Sequence, residues 1–208
     1  MFDPTRFMLF LTAALLLAIT PGPGILYVMA RSLAGGKREG ILSSFGTLLG
    51  GLVHVFAAAA GVSAILATSA IAFSVVKYAG AAYLVYLGVR MIATRKEAAQ
   101  DVEAAAPTGN AFVQGIVTEV LNPKTAIFFL SFIPQFVDAR AGSVFTQFVV
   151  LGVISVVLNT AADIVVAVFA GTIGRRLLSS VRARERQRAG TGAVMIGLGA
   201  YVAAADAN

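Results

Sequence analysis

The chain has no cysteine, no tryptophan and one histidine, and only 12% of its 208 residues carry charge. Without cysteine there is no disulfide framework, no thiolate zinc site and no thiol chemistry. A lone histidine, His54, argues against a His-rich metal centre or a histidine-based triad. Gly190-Thr191-Gly192 is too short for a phosphate loop and has no strand before it. No cofactor, bound metal or enzymatic activity is therefore expected. The shortage of charge decides the class. Soluble domains carry roughly 25% charged residues, and half that share cannot coat a surface facing water. What is abundant is apolar: 58% of residues are hydrophobic and the mean hydropathy is +0.86. The composition reads as an all-α integral membrane protein. The net charge of +6 sits in short loops, where cytoplasmic retention of Lys and Arg accounts for it. Membrane lipids, and no nucleic acid, are the expected partners of those basic residues.

A helix needs about 20 apolar residues to cross the bilayer core. The pattern predicts six, at about 7–30, 41–66, 70–92, 111–136, 144–172 and 189–205. Three linkers are basic: Arg31, Lys37 and Arg38; then Arg90, Arg95 and Lys96; then the run from Arg175 to Arg188, read as juxtamembrane and facing lipid. Against these roughly twelve basic residues the other side offers Arg6 and Arg140, so both termini are expected outside the cytoplasm. Phe7 to Ile19 resembles the apolar part of a signal peptide. The positive charge follows that run, however, and the apolar stretch resumes at Ile25, so a first transmembrane helix is expected there. Lys77 and Lys124 fall inside helices, and Lys77, near an outer end, can snorkel.

The chain reads as one membrane domain over 1–208, with a first repeat at about 1–93, a cytoplasmic loop at about 94–110 and a second repeat at about 111–208. Phe10 to Pro21 and Phe112 to Pro123 keep one offset, so both prolines fall at the same point of their helices. Ala79-Gly80 with Leu87-Gly88 matches Ala189-Gly190 with Leu198-Gly199, given a one-residue insertion. Three helices per half is an odd number, so the second half must be inverted. The expected fold is six transmembrane helices as two inverted three-helix repeats, with helices 1 and 4 broken at proline. Paired interruptions of this kind point to the binding site of a secondary transporter.

Thr20-Pro21-Gly22-Pro23 and Asn122-Pro123-Lys124 lie on the order of 13–17 Å deep at 1.5 Å per residue. Each break frees carbonyls on one side and N–H groups on the other, and the latter suit a carboxylate. The plainer alternative is a pair of kinks satisfied by neighbouring helices. Thr20, Pro21, Gly22, Pro23, Asn122, Pro123 and Lys124 are the candidate substrate-binding residues. An ammonium at mid-membrane needs a partner or water. Pairing with Asp163 would make Lys124 structural; holding a substrate carboxylate would make it functional. Asp163, with Asn159 a turn earlier on the same face, is a candidate proton relay or ammonium partner, or a counter-ion to Lys124. Glu119 either faces the second break or is solvated. His54 follows Gly46 and Gly50 at steps of four, on a face another backbone can approach; it is a packing histidine or a proton carrier. That face allows a homodimer as readily as tight packing within one subunit. Phe128, Phe129, Phe132 and Phe136 read as packing or lipid contact, and Tyr83 and Tyr86 as cavity lining.

Thr20-Pro21-Gly22-Pro23 followed by Gly36, Gly40, Gly46 and Gly50 resembles the opening of the lysine exporter / homoserine–threonine efflux (LysE/RhtB) family. The stretch from Gly80 to Gly88 is similar to its third-helix motif. Gln114-Gly115, Asn122 to Phe129 and Pro134-Gln135-Phe136 resemble its most distinctive one, and the similarity runs nearly end to end. The resemblance implies a small multi-pass exporter of the bacterial inner membrane, moving amino acids or related zwitterionic metabolites by proton antiport. Glu119 departs from the family pattern, where a neutral polar residue stands, so no family-wide role carries over to it. Two other classes are weighed beside this one. A divalent metal-ion exporter would want clusters of Asp, Glu, His or Cys, and the apolar interior supplies only Asp163, Glu119 and His54. An intramembrane enzyme would need a nucleophile and a base in mutual reach, and no such pair stands out.

Overall fold

The computed structural model describes residues 4–20, 22–96, 109–138 and 140–204. Pro21 and most of the loop expected at about 94–110 lie outside the described residues, as do the side chains of Lys77, Arg175, Arg176 and Arg184. The described chain is all-helical. Its helices are α1 (Pro4–Ile19), α2 (Pro23–Thr68), α3 (Ala70–Ala93), α4 (Ala111–Val120), α5 (Pro123–Ile127), α6 (Val144–Ser179) and α7 (Val181–Ala204). By length and composition, Pro23–Ile65 and Val144–Ala170 are apolar enough to cross a membrane, and α4 with Pro123–Phe136, bent by 46° at the break, passes the same test as a pair, as a broken span or a re-entrant loop does. Pro4–Ile19 and Ala81–Ala93 are shorter apolar helices.

A straight 46-residue helix would be about 69 Å long, twice a bilayer core, and α2 is not straight. Gly36 takes φ 81 and ψ 177, a conformation open to glycine because it has no Cβ. The chain doubles back there. Residues eight apart in a straight helix are separated by about 12 Å, yet Arg31 Nη1 lies 3.5 Å from Glu39 Oε2. A Cβ on Gly40 would overlap Ser32 Oγ. So the linker expected between the first two spans is helical on both sides of a single glycine hinge.

The basic residues of that linker do not share one role. Lys37 and Arg38 are exposed, but Arg31 is buried. Its guanidinium donates to Tyr27 Oη (3.1 Å), the Gly109 carbonyl (2.9 Å) and Gln114 Oε1 (2.6 Å). A buried guanidinium needs acceptors, and the start of α4 supplies them. Asn110 caps α4, its side chain accepting from the N–H groups of Phe112 and Val113. Beyond α5 the chain tightens through a π turn (Phe128–Phe132) and a 3-10 turn (Ile133–Phe136), because Pro134 cannot continue an α-helical ladder. The Arg-rich run expected as a linker is helical apart from Ser180. Arg, Glu and Gln are good helix formers, so charge alone does not end a helix.

Glycines set the approach of the halves. A Cβ on Gly46 would overlap the Phe112 carbonyl, and one on Gly50 would stand 2.8 Å from the Ile116 carbonyl oxygen. The glycine-lined face of α2 is therefore occupied by α4 of the same chain. Gly88 and Gly199, matched between the halves in sequence, both lie where α3 meets α7: their Cβ atoms would come within 2.5 Å of Gly192 O and 2.6 Å of Ala81 O. Phe10, Phe128, Phe129, Phe132 and Phe136 are buried in one cluster, which settles the phenylalanines as packing. Gly46→Ala should destabilise the protein by about 1–3 kcal/mol, as overpacked interfaces do, whereas Gly61→Ala, with nothing within 4 Å, should not. Unfolding in detergent with both variants side by side measures the difference.

Candidate functional site

α1 ends at Ile19, and Thr20 turns its hydroxyl back onto the Leu16 carbonyl (2.5 Å). The Leu17 carbonyl, which accepts from the Thr20 N–H (3.2 Å), and the Thr20 carbonyl both receive an ammonium from α5. Lys124 Nζ donates to Thr20 O (2.8 Å) and Leu17 O (3.0 Å). A cation at a helix C-terminus is favoured by the aligned peptide dipoles, and buried carbonyls need a donor. Lys124 packs against Gly22, where a Cβ would stand 3.0 Å from Lys124 Cδ. The two breaks thus meet through one side chain.

The second break is held by Asn122, whose side chain accepts from the Lys124 backbone N–H (3.1 Å) and donates to Glu119 Oε2 (3.0 Å). Glu119 Oε1 accepts from the Thr125 hydroxyl (2.6 Å), so Glu119 faces the break rather than solvent. A Cβ on Gly24 would stand 2.7 Å from Glu119 Oε2, which sets this carboxylate against the first turn of α2. That helix begins at Gly22 with no side-chain cap, and a negative charge is favoured there. The charged residues of the second break therefore flank both ends of the first: Lys124 at its carbonyls and Glu119 at its N–H end. His54 Nε2 lies 2.9 Å from the Glu119 carbonyl oxygen. A carbonyl only accepts, so Nε2 carries the proton of that bond.

Asp163 lies across the chamber on α6 and is buried. It is not ion-paired with Lys124. Its Oδ2 is instead 2.8 Å from the Thr47 hydroxyl on α2. Asn159, a turn earlier, bonds back to the Ser155 carbonyl (2.8 Å). Gly22, Glu119, Asn122, Lys124, Asn159 and Asp163 line a single chamber, together with Gly24, Ile25, Thr47, Thr125, Val156 and Thr160. Its volume is about 20 Å³, room for roughly one water. Small-molecule sites are roughly 300–1,000 Å³, so the chamber as it stands is too small for an organic solute. Tyr83 and Tyr86 pack against each other at a tilt of 35° with centroids 5.8 Å apart, and both are exposed and outside the chamber lining. Among the described residues no group of three or more His, Cys, Asp or Glu is assembled, which gives a metal-exporter reading no support.

Sequence reasoning missed Thr47. The signal for it is the polar set Ser43, Ser44 and Thr47 at helical spacing inside an apolar helix. It also missed that the first turn of α2, through Gly24 and Ile25, forms part of the wall.

The family model described as LysE type translocator matches residues 15–206. A leucine efflux protein of Enterobacter sp. (strain 638) is 33% identical over 153 residues, 72% of each chain. A leucine efflux protein of Salmonella choleraesuis (strain SC-B67) is 33% identical over 145 residues, 68% of each. One from Klebsiella pneumoniae is 31% identical over 153 residues, 72% of each. No solved structure matches the chain.

Proposed function

The chain belongs to the LysE type translocator family, and from that premise we propose that it is a multi-pass exporter of neutral aliphatic amino acids, working by proton antiport across the bacterial inner membrane. The relatives at 31–33% identity are named for leucine efflux, and Ile25 and Val156 give the chamber an apolar wall suited to such a side chain. The observation that carries the reading is the junction of the two breaks at Lys124, whose Nζ reaches Leu17 O and Thr20 O. Two of its three protons are used there; the third takes the substrate carboxylate, beside Gly22 and Pro23 at the start of α2. Asp163, with Glu119 beside it, faces the ammonium group or exchanges a proton with it. A proton arriving at Asp163 from outside releases the amine, so inward proton flow drives outward substrate flow. Each step requires only that the two states differ in affinity.

Six crossings in two inverted halves, with both termini outside, belong to the same proposal. The fold-back at Gly36, the 46° bend between α4 and α5 and the matched glycines between α3 and α7 support it. Counterflow in proteoliposomes with a panel of amino acids tests the function. Leucine and its aliphatic neighbours should exchange, and lysine and divalent cations should not. A panel in which no amino acid exchanges would refute the proposal.

A further inference from the structure

Thr47 Oγ1 lies within hydrogen-bond distance of two acceptors, Asp163 Oδ2 at 2.8 Å and the Ser44 carbonyl oxygen at 2.9 Å. A hydroxyl has one proton to give. With Asp163 ionised, one of the two contacts sets oxygen against oxygen with no proton between them. With a proton on Oδ2, both bonds form in series: the carboxyl donates to Thr47, and Thr47 donates to the Ser44 carbonyl. Ser44, Thr47 and Asp163 are 0%, 5% and 5% exposed, so bulk solvent does not replace a missing partner.

We propose that Thr47 is a positioning residue that reads the proton on Asp163 and turns it into a change of contact between α2 and α6. When the proton leaves, the charge-assisted bond to the carboxylate is the stronger one. The hydroxyl then swings to Asp163 and lets go of the Ser44 carbonyl. The proton itself goes to the aqueous side that the chamber faces; Thr47 redirects its own proton and neither gains nor loses one. Asp163 sits in the second half of the chain and Thr47 in the first, so the redirected bond lies across the surface along which the halves must slide. The charged groups facing Asp163 are Glu119 of α4 and Lys124 of α5, while Asn159 and Thr160 of its own helix are neutral. Glu119 is held by Asn122 and Thr125, and Lys124 by Leu17 and Thr20. That leaves Thr47 as the direct hydrogen-bond partner of Asp163 among the described residues.

The proposal rests on the proton-antiport reading, and the test separates the two. Leucine counterflow in proteoliposomes is followed against pH for wild type, Thr47→Val and Thr47→Ser. The expected result is a pH profile displaced by about tenfold in proton concentration in Thr47→Val, the size of one charge-assisted bond, and restored in Thr47→Ser. A wild type indifferent to pH would sink antiport and this inference together. A pH-dependent wild type whose profile Thr47→Val reproduces would sink the Thr47 role alone. Infrared difference spectra of the wild type give a readout that does not depend on Thr47→Val inserting. The C=O band lost in Asp163→Asn should stand at the position of a hydrogen-bonded carboxyl; a band at the position of a free carboxyl overturns the proposal.

Discussion

Replacing Lys124 with Met should cut export by at least about 100-fold while the protein still reaches the membrane, because two charge-assisted hydrogen bonds of about 1.5–3 kcal/mol each are lost. Met keeps the length and much of the apolar stem, so the packing against Gly22 survives. The ammonium goes, and with it the hold on the Leu17 and Thr20 carbonyls and the proposed carboxylate anchor. Lys124→Arg should also fail. A planar guanidinium presents a fixed fork, and it is too wide to enter where a Cβ on Gly22 would stand 3.3 Å from Lys124 Nζ. Appearance of labelled leucine outside loaded cells, normalised to the amount of protein in the membrane fraction, measures both. Normal export by Lys124→Met would end the carboxylate role.

The second large effect concerns coupling rather than binding. Asp163→Asn keeps the side-chain shape and an oxygen that accepts from Thr47, but it cannot change charge. Uphill leucine movement driven by a proton gradient should fall by at least about 100-fold, whereas downhill leucine–leucine exchange should stay within about tenfold of wild type. The split is the informative part. A residue needed only for folding would lower both, and a carboxylate needed only as an ammonium partner would lower exchange at least as much as uphill flow. Gradient-driven uptake and counterflow on one proteoliposome preparation distinguish the three cases.

Much of the site was legible in the sequence because membranes punish what it shows. Proline, ammonium and carboxylate inside apolar runs are costly there, so Asn122, Lys124 and Asp163 announce themselves. The stripe of Gly46, Gly50 and His54 was legible for a related reason: small residues at one helical spacing mark where a second backbone comes close. The partner, α4, was not legible, since nothing in glycine names what fills its space. Nor was the bonding of Lys124. Charge suggests a carboxylate partner, and the structure gives it two carbonyls, because the ends of a broken helix are themselves charged in effect. Arg31 misled in the opposite direction. In a list of basic residues it marks the cytoplasmic side, yet its neighbours in space bury it as a staple between the first hairpin and α4. Hydroxyls such as Thr47 are the hardest to read, since a threonine in a helix often does no more than bond its own preceding turn.

The central claim is that one chamber between the halves, walled by α2 on one side and α6 on the other, opens in turn to each face of the membrane. The absence of native cysteine allows a direct measurement: Ile25→Cys and Thr160→Cys, one from each half, labelled by an impermeant maleimide applied to one side of the vesicle at a time. The account expects each cysteine to react from both sides, and excess leucine to protect both. Reaction from one side only, or labelling indifferent to leucine at either position, would contradict it.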